Sequence, residues 1–353
     1  QAGSGTLTLD GSNTYTGSTT VSVGTLDVTG SLASSVIGVS DGATLKVDGS
    51  SLGDTTSAVT LTGTGDMTLA GNETIGSLAG AGTVTNGGYT LTTGGNGTST
   101  TFSGVASGTG GLTKAGSGTL TLDGSNTYTG STTILAGILE ISADSGIGNS
   151  SGGLILNGGT LAITDDISSS RTVSLGANNG TIDTASAKTL SLSNVISGSG
   201  SLTKAGSGTL KVTATNTYSG GTTISAGTFN LDGSVISDIT VAAAGTITGD
   251  GSTSGTLTAS GVIAPGDSIG TLSIEDNVNF AAGSAFYTEI DGLNYSASGG
   301  AGTYERLAVT GATASFGAGG TIIPVLRGIS GAANNNFTPT IGDSFRIVTT
   351  ANA

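Results

Sequence analysis

The stretch from Gly3 to Thr20, GSGTLTLDGSNTYTGSTT, recurs without a change from Gly116 to Thr133 and returns as GSGTLKVTATNTYSGGTT from Gly206 to Thr223. Two of the copies share the lead-in LTKA, at Leu112 to Ala115 and Leu202 to Ala205, and the first is expected to have lost its own where the chain was cut. Duplicated units of this kind point to an array of like elements, because each unit cannot bury its apolar face alone. Inside each copy a glycine precedes an alternating segment, and a second glycine does so further on: Gly5 and Gly24 before TLTL and TLDV, Gly118 and Gly137 before TLTL and ILEI, Gly208 and Gly227 before TLKV and TFNL. The offset is 19 residues every time. Related segments sit at Gly159 to Ile163, Gly255 to Leu257 and Gly270 to Ile274, with weaker ones at Thr44 to Val47 and Thr189 to Leu192.

Alternation with a period of two puts Leu7 and Leu9 on one face and Thr6 and Thr8 on the other, as a half-buried strand requires. A coil of roughly 19 to 25 residues, made of two or three such strands separated by Gly, Asn and Ser turns, predicts a solenoid whose strands stack coil on coil. The expected fold is all-β, a right-handed parallel β-helix. Some fifteen coils at ~4.8 Å per strand would give a rod of very roughly 70 Å. A sandwich or barrel also has many short strands, but neither predicts a fixed 19-residue offset.

Composition agrees with this and narrows the chemistry. Gly, Thr and Ser supply 65, 62 and 48 of the 353 residues, and only three prolines interrupt the strand pattern. Charged residues make up 9% and hydrophobic residues 35%, which leaves enough Leu, Val and Ile for a core and does not match disorder. The net charge of −14 argues against nucleic acid and anionic lipid as partners. With no Cys and no His, zinc, haem and iron-sulfur sites are excluded and the usual general base is missing, so no cofactor is expected.

From about Val262 the texture changes to APGDSIGTLSI, AFYTEI, YERLAVTG, TIIPVLRG and GDSFRIVTT. Five of the seven Phe and three of the four Arg follow residue 270, so this part can bury more area per residue. In the strand beginning at Phe286, that residue, Thr288 and Ile290 are expected to face inward, with Tyr287, Glu289 and Asp291 outside. The chain therefore divides into a repeat-containing β-helix, 1–262, and a C-terminal region, 263–353.

The units LTKAGSGTLTLDGSNTYTGSTTI resemble the passenger-associated repeat of bacterial autotransporters, and PGDSIGTLSI, YERLAVTG and GDSFRIVTTANA resemble the junction and autochaperone region of the same family. Glu305 departs from the Asp of that C-terminal pattern and keeps the charge. The resemblance implies a passenger that crosses the outer membrane by type V secretion and ends outside the cell, with membrane contact only through a C-terminal barrel absent from this chain. It implies adhesion, self-association or biofilm formation, with surface glycans, proteins or like chains as partners; some members carry an enzyme domain in the N-terminal part, which this chain is not expected to contain, and no enzymatic activity is expected of it. A chain without Cys forms no disulfide on the way, and a solenoid can grow coil by coil. Residues 263–353 are expected to cap the open strand edges and template folding, with Phe286, Ile290, Leu307, Val309, Phe345 and Ile347 as the apolar nucleus.

Several motifs have two readings. The Asn and Tyr of NTY, at 13 and 15, 126 and 128, 216 and 218, read as a turn Asn with local backbone bonds and a ring covering the coil edge, or as exposed aromatics that stack on a sugar. GNSSG around Ser150 matches a nucleophile elbow, and GDS at 266–268 and 342–344 matches another hydrolase motif, but both chemistries need a histidine. The alternative enzyme reading is a polysaccharide-processing β-helix using carboxylates alone, with Glu289 and Asp291 a better-placed pair than the adjacent Asp165 and Asp166. Thr-x-Thr pairs at 6/8, 119/121, 246/248 and 256/258 skip coils, which reads as solvent-facing strand threonine rather than a flat ice-binding array.

Overall fold

A computed structural model describes residues 1–49, 51–52, 55–266, 270–290, 305–310, 313–316, 321–326 and 348–350. Every strand pair given for these residues is parallel, apart from one isolated antiparallel bridge between Gly249 and Gly266. The strands stack as a β-solenoid of about 14 turns among the described residues, with a single 3-10 turn at Asp144–Ile147. The chain folds as two compact units, Gln1–Thr181 and Ile182–Ala353.

The 19-residue offset is the length of chain in one coil. Thr6–Leu9 pairs in register with Thr25–Val28, Thr119–Leu122 with Ile138–Ile141, and Thr209–Val212 with Thr228–Leu231. Stacking places like on like, because the period-two pattern repeats at the same phase in each coil. In the first unit, one sheet runs Thr6–Leu9, Thr25–Val28, Thr44–Val47, Asp66–Leu69, Thr83–Thr85, Val105–Ser107. A second contains Glu73–Ile75, Leu91–Thr93, Leu112–Lys114, Thr132–Ile134, Leu154–Leu156 and Val173–Leu175. In the first of these sheets Leu26, Leu45, Met67 and Val84 stand in a single inward file and are buried. Each such side chain contributes about 1.5–3 kcal/mol by leaving water.

The second unit differs in two ways. Its strands Thr222–Leu231 and Ile239–Gly249 run through a corner without a break, with a register shift between Ile224 and Ala226. Farther on, the coils lengthen: Thr271 pairs with Arg306, Val278 with Ala314 and Ala285 with Thr321, steps of 35, 36 and 36 residues. The change of texture after Val262 thus carries a change of coil length, which the hydrophobic pattern alone does not encode. In the strand Ala285–Ile290, Phe286 and Thr288 are buried and Tyr287 is exposed, as alternation predicts. Phe286 meets Phe280 edge to face at 6.2 Å, and Leu307 and Val309 are buried. Ile290 ends its strand, while Asp291, Phe345 and Ile347 lie outside the described residues.

Candidate functional site

The NTY segment is an interior staple. Asn126 is 3% and Asn216 0% exposed. The Asn126 side-chain oxygen accepts from the Ala106 N–H at 2.7 Å, one coil back, and its amide donates to Gly146 O at 2.6 Å, one coil forward. Asn216 repeats this with the Ile196 N–H at 2.9 Å and Ser234 O at 3.0 Å, and closes its own turn on Ala214 O at 2.9 Å. One amide therefore ties three successive coils. The local-turn reading captures only the bond to its own coil.

Tyr128 and Tyr218 are fully buried, with hydroxyls bonded to Thr132 and Thr222 at 2.7 and 2.5 Å. Burial pushes the Tyr218 phenol up to about 12 and raises Tyr128 as well, so both stay neutral. Neither can stack on a sugar. Tyr15 makes the same bond to Thr19 at 2.9 Å but is 45% exposed. Replacing Asn126 with Ala strands a buried N–H and a buried carbonyl, so it is expected to cost about 3 kcal/mol in chemical unfolding of the full chain.

The GNSSG segment is a clamped turn. Ser150 is exposed, and the main chain around it is held by Arg171, which is 2% exposed. Its guanidinium donates to Gly148 O at 2.5 Å, Asn149 O at 2.5 Å and Gly152 O at 2.9 Å, and its Nε to Asp144 Oδ1 at 2.9 Å. The planar fork suits such a multidentate clamp, whereas a nucleophile elbow requires a strand-to-helix turn. The signal was available as the single arginine in the first 305 residues. Asp165 and Asp166 are both exposed, and Asp165 accepts the Asp166 N–H at 2.8 Å. Residues 267–268 and the GDS at 342–344 lie outside the described residues. Glu305 is 4% exposed and accepts the Glu289 N–H at 2.8 Å, while its own N–H donates to Glu289 O at 2.8 Å. The charge retained at 305 is thus used to fasten main chain.

Outside, hydroxyls line up. Thr74, Thr92, Thr113 and Thr133 stand in one file on four consecutive coils of the first unit. In the second unit Thr203, Thr223, Thr240 and Thr258 form a like file that continues as Asn279 and Ser315. All are half-buried or exposed, spaced at about the 4.8 Å of neighbouring strands. A search for Thr-x-Thr pairs misses them, because each coil contributes one threonine flanked by inward residues. An open groove of about 260 Å³ on the same unit as the first file is lined by Ser99, Thr100, Thr101, Thr119 and Thr121. Thr121 donates to Glu140 Oε1 at 3.1 Å at its margin. The arrangement can make many weak polar contacts along the stack.

The passenger-associated-transport-repeat family matches residues 1–28, 112–141 and 202–231, the segments that hold the three NTY copies. Over 236 residues the chain is 34% identical to the adhesin BmaC autotransporter of Brucella suis biovar 1 (strain 1330), a match covering 62% of this chain. The chain spans about 6% of that relative's length. No solved structure matches it. Transport repeats built into stacked parallel coils, together with that identity, support an autotransporter passenger domain that is secreted to the cell surface.

Proposed function

We propose that this stretch is a surface-displayed stalk that also adheres, through files of hydroxyl and amide side chains rather than through one pocket. The observation that carries the reading is the pair of in-register outward files, Thr74 to Thr133 and Thr203 to Thr258. Contacts of this kind are individually weak and gain strength by number, which suits binding to extended glycans, to surface proteins or to like chains. The adhesin BmaC autotransporter supports the adhesive part by its name. Within the stretch, residues 1–262 supply the display surface, and residues 263–353 cap it and template its folding. Cells displaying the full-length protein should attach and aggregate more than cells lacking residues 1–262. Equal attachment and clumping would reject the adhesive role, and release of new reducing ends from a glycan panel would favour the carboxylate enzyme instead.

A further inference from the structure

Two lysines are buried where a surface residue would be expected. Lys114 is 1% and Lys204 0% exposed, and their ammonium groups are held by main-chain oxygens, unlike Lys46, which pairs with Asp27 at 3.1 Å, and Lys211, which pairs with Asp232 at 2.5 Å. The Lys114 ammonium donates to Ala115 O at 2.5 Å, Gly116 O at 2.9 Å and Ala136 O at 3.2 Å. Lys204 donates to Ala205 O, Gly206 O and Ala226 O at 2.5, 2.8 and 3.3 Å. An ammonium has three donors, and here each finds one main-chain oxygen. Two of those oxygens belong to the lysine's own corner and the third lies 22 residues on, in the next coil. Burial depresses both ammonium groups to about 8, with Asp183 opposing the shift at Lys204.

The corner is shaped to admit the charge. Gly116 and Gly137 have φ of +62° and +64°, and a Cβ on Gly137 would lie 2.8 Å from the Lys114 Nζ. The first repeat provides an internal comparison. Gln1 stands two residues before Gly3, as Lys114 stands two before Gly116, and its Nε2 donates to Gly3 O at 2.8 Å and Gly5 O at 3.0 Å. A different side chain thus delivers an N–H to the equivalent carbonyl, Gly3 O for Gly116 O, and a second to Gly5 O of the same corner. The corner asks for a multiple donor, and all three copies supply one.

We propose that each passenger-associated repeat contains an internal ammonium-binding cage of main-chain carbonyls, and that the lysine of the LTKA lead-in is its tethered occupant, locking one coil to the next. The ligand class is a primary ammonium: a tetraalkylated cation offers no N–H to the three oxygens, and an apolar side chain leaves them unpaired.

The test uses the full chain with Lys114→Ala and Lys204→Ala, which removes the equivalent of n-propylammonium from each cage. Thermal unfolding is followed in n-propylammonium chloride, tetramethylammonium chloride and sodium chloride at equal ionic strength. The variant should gain roughly 3 °C or more in propylammonium over sodium, with no such gain in wild type. A response no larger than that of wild type, or an equal response to tetramethylammonium, overturns the cage. Should the double variant fail to fold, Lys114→Gln is compared with Lys114→Met. The glutamine variant should have the higher unfolding midpoint, following Gln1, and an equal or higher midpoint for methionine overturns the proposal.

Discussion

Gly137→Ala is expected to lower the unfolding free energy of the full chain by more than about 4 kcal/mol, among the largest effects a single methyl can have. A left-handed alanine alone costs about 1–2 kcal/mol. Gly137 has φ of +64°, and its added Cβ would come within 2.4 Å of Gly116 O and 2.5 Å of Gly118 O, both on the neighbouring coil. Main-chain oxygens cannot swing aside as a side chain does, so two coils must part. The first bond of the next ladder, Ile138 N–H to Gly118 O at 3.2 Å, is lost with them. Gly227 faces Gly206 O and Gly208 O at 2.4 Å each and should behave alike. Gly42 separates the two contributions: its φ is +71° but a Cβ there meets nothing within 4 Å. Gly42→Ala should therefore cost only the conformational part. Equal midpoints for the Gly42 and Gly137 variants in denaturant titrations would mean that close stacking of the coils at this corner is not what the glycine secures.

The same corner explains how far the sequence could be read. The offset from Gly118 to Gly137 is legible as a coil because a glycine followed by an alternating strand returns at one phase, and the structure pairs Thr119 with Ile138. Inward and outward faces follow from alternation, as Phe286 and Tyr287 show. What the pattern leaves out is contact between coils of unlike sequence. Asn126 reads as a turn residue, yet two of its partners are 20 residues away on either side. Lys114 reads as a charge for the surface, since nothing in LTKA announces that the carbonyls of its own corner form a cage. The 35-residue step from Thr271 to Arg306 is equally silent, because strand periodicity does not count the residues between strands. The outward threonine files depend on register across coils, which a search within single strands cannot supply.

Removing residues 263–353 is expected to slow refolding of the remaining chain by at least tenfold, or abolish it, on the reading that this region nucleates the stack. In a solenoid each coil is stabilised by its neighbours, so the first coil to form has none and sets the barrier. The C-terminal coils have a compensation. Lengthening a coil from about 19 to 36 residues raises the loop-closure cost by only about 0.6 kcal/mol, because that cost grows with the logarithm of length. Against it, Phe280 and Phe286 meet within a coil's height of one another, and Leu272, Ile274, Leu307 and Val309 are buried on neighbouring strands. One such side chain is worth about 1.5–3 kcal/mol, so a few outweigh the closure term. Phe286→Ala in the full chain gives a point test at lower risk to folding. A nucleus predicts that its cost of about 3–5 kcal/mol appears mostly as slower refolding, with the unfolding rate little changed. If instead unfolding accelerates while refolding keeps its rate, and residues 1–262 refold alone at the speed of the full chain, the stack nucleates elsewhere and the C-terminal region only closes its edge.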